Sequence, residues 1–376
     1  MKESSLPTPY YIVYEEKLRR NLDLITDVSR RSGARIIMAF KANALWRTFD
    51  IFREYNVEFT ASSLNELQLG LRHLGKKAHT YTPAYTPDTI GEYLKGSSHI
   101  TFNSLDQLRR FGPMALEAGV STGLRVNPQC SVIETDKYNP ALPGSRFGVT
   151  AEQISGEIPP HIEGLHFHSL CESTSYDLEK VLGAFEEQFG YILPHIKWVN
   201  MGGGHLMTRE GYDTDHLVRL LCDFRRRHPH LEIILEPGSA FTWRTGDLVT
   251  SVVDVVENQG IRTAIIDASF ACHMPDTLEM PYQPAITESV EESPEAIAYR
   301  LGGNSCLSGD YCGPWWFASE LKAGQRLRLE DMNHYTTVKT TMFNGLHHPD
   351  IVICDTGGEC RYLRRFDYHD YESRMS

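Results

Sequence analysis

The feature that most constrains the fold of this chain is a regular alternation of short apolar segments and longer amphipathic segments. No short segment exceeds eight residues, and each is bounded by turn residues and rich in β-branched or aromatic side chains, as buried parallel strands are. The short segments are Ala34–Phe40, Glu58–Ser63, Lys77–Pro83, Ser98–Ser104, Ser121–Pro128, Ile162–His168, Trp198–Gly204 and Glu232–Gly238. The main amphipathic segments, which have helical spacing, are Glu15–Arg31, Leu64–Leu74, Ser104–Ala118, Asp177–Phe189 and Asp215–His228. Eight strands alternating with helices predict an α/β fold with a (β/α)8 TIM-like barrel, and an open doubly wound sheet is the alternative.

The pattern changes after Gly238, where strand-like segments follow one another without long helices between them. These segments are Asp247–Val256, Gly260–Asp267, Gln325–Glu330, Tyr335–Thr341 and Ile351–Asp355. Tyr10–Val13 precedes the first barrel helix and has no barrel partner, so we expect it to join the later strands. The predicted domains are therefore a barrel over residues 15–240 and a C-terminal β domain formed by residues 241–376 with residues 1–14. The tail, Arg361–Ser376, is expected to be a docked helix or a frayed end.

Composition and charge exclude several classes of protein. Hydrophobic residues make up 41% and charged residues 23%, which is ordinary for a globular chain and excludes disorder, collagen and coiled coil. The net charge of -12 argues against nucleic acid and anionic membranes as partners and favours a cationic ligand. No apolar stretch reaches the roughly 18 residues of a membrane span, and the N-terminus lacks a signal sequence, so a cytoplasmic protein is expected. The eight cysteines form no C-x-x-C pair, a spacing that fits neither a disulfide framework nor a zinc site, and no metal is predicted.

The ends of the predicted barrel strands carry the residues of chemical interest, because catalytic groups of such barrels lie at the C-terminal ends of the strands. Lys41 follows the first strand and His168 the sixth. Gly202, Gly203 and Gly204 follow the seventh strand, and Glu236 follows the eighth. Alone, each would be an ordinary loop or turn residue, but their coincidence at one rim indicates a functional site.

This set of residues suits pyridoxal phosphate. A half-buried lysine such as Lys41 can form a Schiff base with the aldehyde of the cofactor. Consecutive glycines allow backbone N–H groups to approach a phosphate. Glu236 is placed to hold the pyridine nitrogen protonated, so that the ring can accept electrons, and His168 can stack on the ring.

Several segments together resemble the fold-type III pyridoxal phosphate decarboxylases, the ornithine/diaminopimelate decarboxylase superfamily, whose barrel is alanine racemase-like. The segments are Ala39–Asn43, His166–His168, Gly202–Gly204, Glu236–Gly238, Asn304–Cys306 and Met342–Gly345. The resemblance implies that Lys41 carries the cofactor, that Tyr335 contacts its phosphate and that Cys306 protonates the carbanion. It also implies a head-to-tail homodimer in which Cys306 completes the site of the other subunit.

Departures from the superfamily pattern narrow the expected substrate. Leu307 follows Cys306 where ornithine and lysine decarboxylases usually have an aspartate, and Ser239 replaces the usual arginine of diaminopimelate decarboxylases. Cys171 stands in place of the usual serine near the phosphate.

Other segments resemble the subgroup that decarboxylates carboxynorspermidine and carboxyspermidine. They are His168–Glu172, Asp267–Asp276, Leu278–Tyr282 and Cys306–Asp310. The implied substrate is a carboxylated triamine, and the predicted substrate-binding residues are Glu172, Ser239, Asp276, Glu279 and Asp310.

Other interpretations remain open. A diaminopimelate, ornithine or lysine decarboxylase would share the same fold. A metal-dependent barrel hydrolase would use His166 and His168, which point to one face of a strand. A non-catalytic relative of the decarboxylases could keep the fold, although such proteins tend to lose the lysine or the cysteine, and both are present here.

Overall fold

The computed structural model of the protein describes residues 1–133, 136, 139–280 and 282–376. Pro281, within the predicted segment Leu278–Tyr282, lies outside the described residues. The chain divides into two compact units, each of which is described by itself. The barrel unit is Asn21–Phe241, and the sheet unit is Met1–Arg20 together with Thr242–Ser376.

The chain begins with strand β1 (Tyr10–Tyr14) and helix α1 (Glu15–Ser32) and then enters a parallel sheet that closes on itself. Its strands are β2 (Arg35–Ile36), β3 (Met38–Ala39), β4 (Phe59–Ala61), β5 (Ala78–Tyr81), β6 (Ser97–Phe102), β7 (Ser121–Arg125), β8 (Gly164–His166), β9 (Trp198–Asn200) and β10 (Glu232–Leu235).

The short strands β2 and β3 are two halves of one barrel strand, interrupted at Ile37. The first half pairs with β10 and the second half pairs with β4, so the ring of strands is complete. The N–H of Ile37 donates to the carbonyl of Leu235 at 2.9 Å, at the point where the ring closes. Counted this way there are eight barrel strands. The predicted (β/α)8 barrel is confirmed, and the open sheet is wrong.

The predicted barrel helices are present, and their starts follow from capping side chains in the sequence. The hydroxyl of Ser63 accepts from the N–H of Glu66, and Thr174 forms a capping box with Asp177. The helices after α1 are α2 (Phe49–Glu54), α3 (Leu64–His73), α4 (Ile90–Gly96), α5 (Leu105–Glu117), α6 (Ala151–Ile154), α7 (Ser175–Phe189), α8 (Thr214–Arg227) and α9 (Ser239–Thr242).

The sheet unit is built on a mixed sheet with β1 in its interior. Its later strands are β11 (Gly246–Asn258), β12 (Ile261–Ile266), β13 (Ile297–Gly302), β14 (Tyr311–Phe317), β15 (Arg326–Leu329), β16 (Asp350–Cys354) and β17 (Cys360–Arg364). The strand order is β14-β13-β12-β11-β1-β16-β17, with β15 beside β11. Short helices α10 (Phe270–His273) and α11 (Asp276–Glu279) and the terminal helix α12 (Tyr368–Met375) complete the unit. The expectation that Tyr10–Val13 pairs with the later strands is confirmed.

Three sequence-based expectations for this unit need correction. The strand predicted for Tyr335–Thr341 is a turn, because Tyr335 has a φ of 53° and the N–H of Lys339 donates back to Thr336 at 2.8 Å. The tail contains both β17 and α12 rather than a helix or frayed end alone. The cysteines are not all unpaired, since β16 and β17 place Cys354 opposite Cys360 and the two form a disulfide.

The packing inside the barrel unit includes histidines that are kept away from water. Trp198 packs with Ile37 and Ile234, and Gly164 is required beside it because a Cβ there would lie 2.0 Å from the indole. His79 and His99 stack with their ring centroids 3.9 Å apart. Burial lowers the pKa of His99 to about 4, and burial and then His99 hold the pKa of His79 well below its usual range. Both imidazoles are therefore neutral in the folded barrel at neutral pH.

We predict that the barrel loses stability in mild acid. The unfolded chain binds a proton at His99 near pH 6.5, whereas the folded chain does so only near pH 4, so stability falls as the pH falls through this window. His99→Gln should reduce the loss between pH 7 and pH 5 by on the order of 1–3 kcal/mol. Denaturant unfolding at several pH values measures the effect, with the exposed His369→Gln as the control. An unchanged pH dependence in His99→Gln would refute the prediction.

Candidate active site

A cavity of about 670 Å³ lies in the barrel unit where several strands end. Ionisable side chains from different strands converge on its wall. They are Lys41, Tyr81, Arg125, Arg146, His166, His168 and Glu236, and Gly203 also lines the cavity. The structure therefore brings together the lysine, imidazole, glycine and glutamate that the sequence places at the strand ends.

Lys41 is the amine of this cavity, and its side chain is exposed to the cavity space. It follows β3 after Phe40, and Ala39 at the end of β3 is fixed by an N–H···O bond of 3.2 Å to the carbonyl of Pro237. Burial, and next the guanidinium of Arg125, lower the pKa of Lys41. A lysine with a lowered pKa is neutral for a larger fraction of the time near pH 7, and only the neutral amine is nucleophilic.

His168 has a fixed ring orientation. Its Nδ1 accepts a hydrogen bond of 2.8 Å from the N–H of Gly203, which leaves the proton of the neutral ring on Nε2. Burial, then Lys41 and Arg125, hold the pKa of His168 well below its usual range. The ring is therefore a neutral, immobile wall of the cavity, suited to stacking rather than to proton transfer.

Glu236 is a buried carboxyl group held by neighbouring strands. Its Oε1 accepts from Nδ2 of Asn200 at 2.7 Å, and Thr60 also donates to it. Burial raises the pKa of Glu236, and the hydrogen bonds and Lys41 oppose that shift. Its Oε2 lies 3.8 Å from Nε2 of His166, whose ring is neutral because burial holds its pKa well below the usual range. A buried carboxyl group of this kind favours a positively charged N–H partner.

The three glycines are required by close packing of backbone. A Cβ on Gly203 would lie 2.5 Å from the carbonyl oxygen of Glu236, and one on Gly204 would lie 2.4 Å from the backbone of Leu170. Two of the three N–H groups already donate within the chain, that of Gly202 to Asn200 at 2.9 Å and that of Gly203 to His168. The glycines thus allow the ends of neighbouring strands to approach, and contact with a phosphate remains a prediction for this segment.

Arg125 is a site residue that sequence reasoning missed. It ends β7, is 4% exposed, and lies between two rings, with its Cζ 4.7 Å from the centroid of Tyr81 and 4.5 Å from that of Phe147. Its Nη2 donates to the carbonyl of His168 at 3.3 Å. An arginine at the end of an otherwise uncharged strand was the available signal, because arginine is rarely buried without a role.

Two more residues of the barrel unit, Glu172 and Ser239, are predicted from the sequence to bind substrate. Glu172 has an exposed side chain and follows Cys171, which acts electrostatically on Lys41. Ser239 is half-buried and begins the short helix α9.

The remaining predicted residues belong to the sheet unit. Asp276 and Glu279 both pair with the ammonium of Lys339, the latter at 2.5 Å, so their charge is already matched within the chain. Asp310 is 4% exposed and accepts hydrogen bonds from the protein. Cys306 is exposed, and Tyr335 is half-buried.

A closed parallel barrel with a lysine of lowered pKa after its first strand and a buried carboxyl group after its last is typical of a pyridoxal phosphate-binding barrel enzyme. The family model described as pyridoxal-dependent decarboxylase, C-terminal sheet domain, matches residues 13–333. The chain therefore belongs to the pyridoxal-dependent decarboxylase family. It is a carboxy-lyase, and its cofactor is pyridoxal phosphate.

The chain is similar to particular decarboxylases over nearly its whole length. The carboxyaminopropylagmatine decarboxylase of Synechocystis sp. is 44% identical over 99% of this chain and 96% of that protein. The carboxynorspermidine/carboxyspermidine decarboxylase of Campylobacter jejuni is 40% identical over 98% of each. The solved structure of carboxynorspermidine decarboxylase from Campylobacter jejuni complexed with norspermidine matches with a TM-score of 0.90 at 39% identity, covering 98% of this chain and 100% of that one. The resemblance to this subgroup is confirmed.

The residues of the cavity fit the cofactor. Lys41 offers an accessible amine of lowered pKa for covalent attachment, and Glu236 offers a carboxyl group that a protonated pyridine nitrogen would pair with. Both ring nitrogens of the buried His166 lack a hydrogen-bond partner among the described residues, as expected at the edge of a ligand site. When bound, pyridoxal phosphate supplies an electron sink for the electron pair left by a departing carboxylate.

We predict that Arg125 keeps Lys41 reactive near neutral pH. Arg125→Gln removes a nearby cation, so the pKa of Lys41 should rise and covalent capture of the cofactor by the apo protein should need more alkaline solution. The measurement is the rate of capture of added pyridoxal phosphate against pH, followed by absorbance and by borohydride fixation.

The matched control is Arg125→Lys, which keeps the charge and should keep the pH midpoint. Lys41→Ala should fix no cofactor at any pH while remaining folded. An equal midpoint in Arg125→Gln and the wild type would contradict the role given to Arg125, and fixation in Lys41→Ala would contradict that of Lys41.

Proposed function

We propose that this decarboxylase removes the α-carboxylate of a carboxylated triamine, carboxynorspermidine or carboxyspermidine, and releases norspermidine or spermidine in polyamine biosynthesis. The observation that carries the proposal is the likeness, over nearly the full length of each chain, to decarboxylases named for these compounds. The cavity supports the chemistry, since it holds an amine of lowered pKa, a neutral imidazole and a buried carboxyl group on its wall.

The charges of the cavity wall favour the anionic end of such a substrate. Arg125 and Arg146 line the cavity together with Lys41, and Glu236 is the one acidic residue among the described lining residues. This excess of positive charge suits a phosphate and an α-carboxylate, but it offers a cationic polyamine tail only one carboxylate. Carboxylates outside this lining must therefore bind the tail. Glu172 is the predicted candidate in the barrel unit, while Asp276 and Glu279 would have to exchange Lys339 for the substrate.

The residues act in a defined order. Lys41 would hold the cofactor covalently and would be displaced from it by the substrate amine, Glu236 would pair with the protonated pyridine nitrogen, and His168 would pack on one face of the ring. The Sγ–H of Cys306 then delivers a proton to the α-carbon after carbon dioxide has left. Each of these roles is part of the proposal.

A second substrate has specific support. The protein at 44% identity is named for carboxyaminopropylagmatine, which ends in a guanidinium group instead of an amine. The three compounds share the reacting end and differ only at the far end, so the cavity described above serves all of them. A single carboxylate binds a guanidinium with two parallel hydrogen bonds and an ammonium as a point charge, so the preferred substrate depends on the geometry of the carboxylates that bind its far end.

Two alternatives have less support. The pattern of a diaminopimelate decarboxylase supplies an arginine for a second carboxylate, and this chain has the neutral Ser239 at that position. A metal-dependent hydrolase needs a cluster of ligands, and no group of three or more His, Cys, Asp or Glu residues suited to a metal occurs among the described residues. No helix in the described parts of the chain is long and apolar enough to cross a membrane.

We predict that the enzyme prefers carboxylated triamines over ornithine, lysine and meso-diaminopimelate by a factor of at least ~10² in kcat/KM, because an unpaired charge in a closed site costs several kcal/mol. Steady-state decarboxylation of these three amino acids, carboxynorspermidine, carboxyspermidine and carboxyaminopropylagmatine under one condition tests it. A preference for carboxyaminopropylagmatine would replace the first substrate by the second, and a preference for ornithine or diaminopimelate would overturn both.

The same assay tests whether Glu172 binds the cationic tail of the substrate. Glu172→Gln should raise KM for the triamines about tenfold, the effect of one charge-assisted contact, with little change in kcat. Glu210→Gln removes an equally exposed carboxylate of the barrel unit and should change neither constant.

We also propose that Cys306 serves the active site of a second copy of the chain. Cys306 is exposed although a proton donor needs a closed site, and its apolar neighbours Leu307 and Phe343 are 45% and 50% exposed. A symmetric dimer would cover such side chains and complete two sites at once.

We predict complementation between two inactive variants. Lys41→Ala and Cys306→Ala subunits mixed in equal amounts should recover roughly a quarter of wild-type activity, because half of the dimers are mixed and each has one complete site. Subunit exchange is verified by tagged chains. No recovery after verified exchange would show that each chain completes its own site.

A further inference from the structure

The loop that carries Cys306 is a hairpin connection between β13 and β14, formed by residues 303–310. Most of this loop is exposed, but Asp310 at its base is 4% exposed. The N–H of Gly303 donates to the carbonyl of Asp310 at 2.7 Å, and the N–H of Asp310 donates to the carbonyl of Leu307 at 3.0 Å. The backbone of Asp310 thus closes the loop on both sides of the cysteine.

Both oxygens of the Asp310 carboxylate accept hydrogen bonds from donors of its own unit. Its Oδ2 accepts from the hydroxyls of Ser269 at 2.8 Å and Ser305 at 2.5 Å, and its Oδ1 accepts from the N–H of Ala271 at 2.9 Å. The space around it is tight, because a Cβ on Gly303 would lie 2.3 Å from Oδ2. A buried carboxylate with three donors does not need a substrate ammonium.

The hydrogen bonds of Asp310 fix both sequence neighbours of Cys306, Ser305 and Leu307. Ser305, held by Asp310, accepts from the N–H of Leu307 at 3.3 Å, so the residues on either side of the cysteine are fixed to one anchor. The N–H of Cys306 itself donates to Oδ1 of Asn344 at 2.7 Å. A buried side chain four residues away along the chain therefore fixes the backbone on both sides of Cys306.

We propose that Asp310 is a positioning residue for Cys306 and not a ligand of the substrate. Its role is to hold residues 303–310 in one conformation, so that the thiol of Cys306 faces the α-carbon of the substrate. The catalytic part of this proposal rests on the proposed function. The structural part, that Asp310 holds residues 303–310 in one conformation, does not depend on it.

The test compares Asp310→Asn with Asp310→Ala. Asparagine can keep an acceptor toward Ala271 and donate its amide hydrogens to the two serine hydroxyls, so a positioning role survives this change. A charge contact with substrate would be lost in both variants. Asp310→Ala should lower kcat about tenfold or more with KM within about twofold, whereas Asp310→Asn should stay within about threefold of wild type in both constants.

A second readout needs no substrate. Hydrogen exchange of the peptide covering residues 303–310 should become at least about tenfold faster in Asp310→Ala and in Ser305→Ala, and should change little in Asp310→Asn. The matched control for Ser305→Ala is Ser308→Ala, because Ser308 is an exposed serine of the same loop.

Equal rises in KM for both Asp310 variants with unchanged exchange would overturn the proposal and make Asp310 a substrate ligand. Unchanged kcat and exchange in Asp310→Ala would also overturn it. If Asp310→Ala does not fold, faster exchange in Ser305→Ala than in Ser308→Ala supports the proposal and equal exchange overturns it. If no tested amino acid is decarboxylated, the proposed function fails, while the exchange result still decides whether Asp310 locks the loop.

Discussion

The electrostatic environment of Lys41 is the constraint on which the rest of the barrel unit depends. Desolvation by the surrounding protein and the guanidinium of Arg125 both lower the pKa of Lys41, so the neutral, nucleophilic amine is more populated near pH 7. The neighbouring groups are consistent with this arrangement, since Glu236 is held by hydrogen bonds and His168 is neutral and fixed by Gly203. The barrel must be closed and rigid to maintain such an environment, and the pairing of the split first strand with both β4 and β10 provides that closure.

Much of the barrel and its site could be predicted from the sequence because its determinants are local. Short apolar strands followed by Lys41, His168 and Glu236 specify both the element and the rim on which the side chains lie. Arg125 could not be recognised in this way, since its importance arises from the rings of Tyr81 and Phe147, which are distant along the chain. The family and the subgroup were identified from motifs, which carry information that periodicity alone does not.

The sheet unit was predicted less well because its signals are not local. β-Branched residues after Tyr335 suggested a strand, but the left-handed conformation of Tyr335 turns the chain there. Asp310 is predicted to bind substrate because it is acidic and near Cys306, and the sequence does not show that its three donors in the fold come from residues as far away as Ser269. The same holds for Asp276 and Glu279, whose partner Lys339 lies about sixty residues further on. A carboxylate therefore cannot be assigned to substrate until its partners within the fold are known.

The position of β1 has a consequence for the synthesis of the protein. β1 pairs with β11 and β16. Val13 of β1 pairs with Gly246 of β11, which lies 233 residues further along the chain (246 minus 13). At about 5–20 residues per second on the ribosome, the first strand emerges roughly 10–50 s before β11 does, and the whole barrel sequence is made in the interval. A nascent chain must keep the apolar Tyr10–Tyr14 segment from pairing elsewhere during that time. The sheet unit can therefore form only after the barrel sequence has been translated.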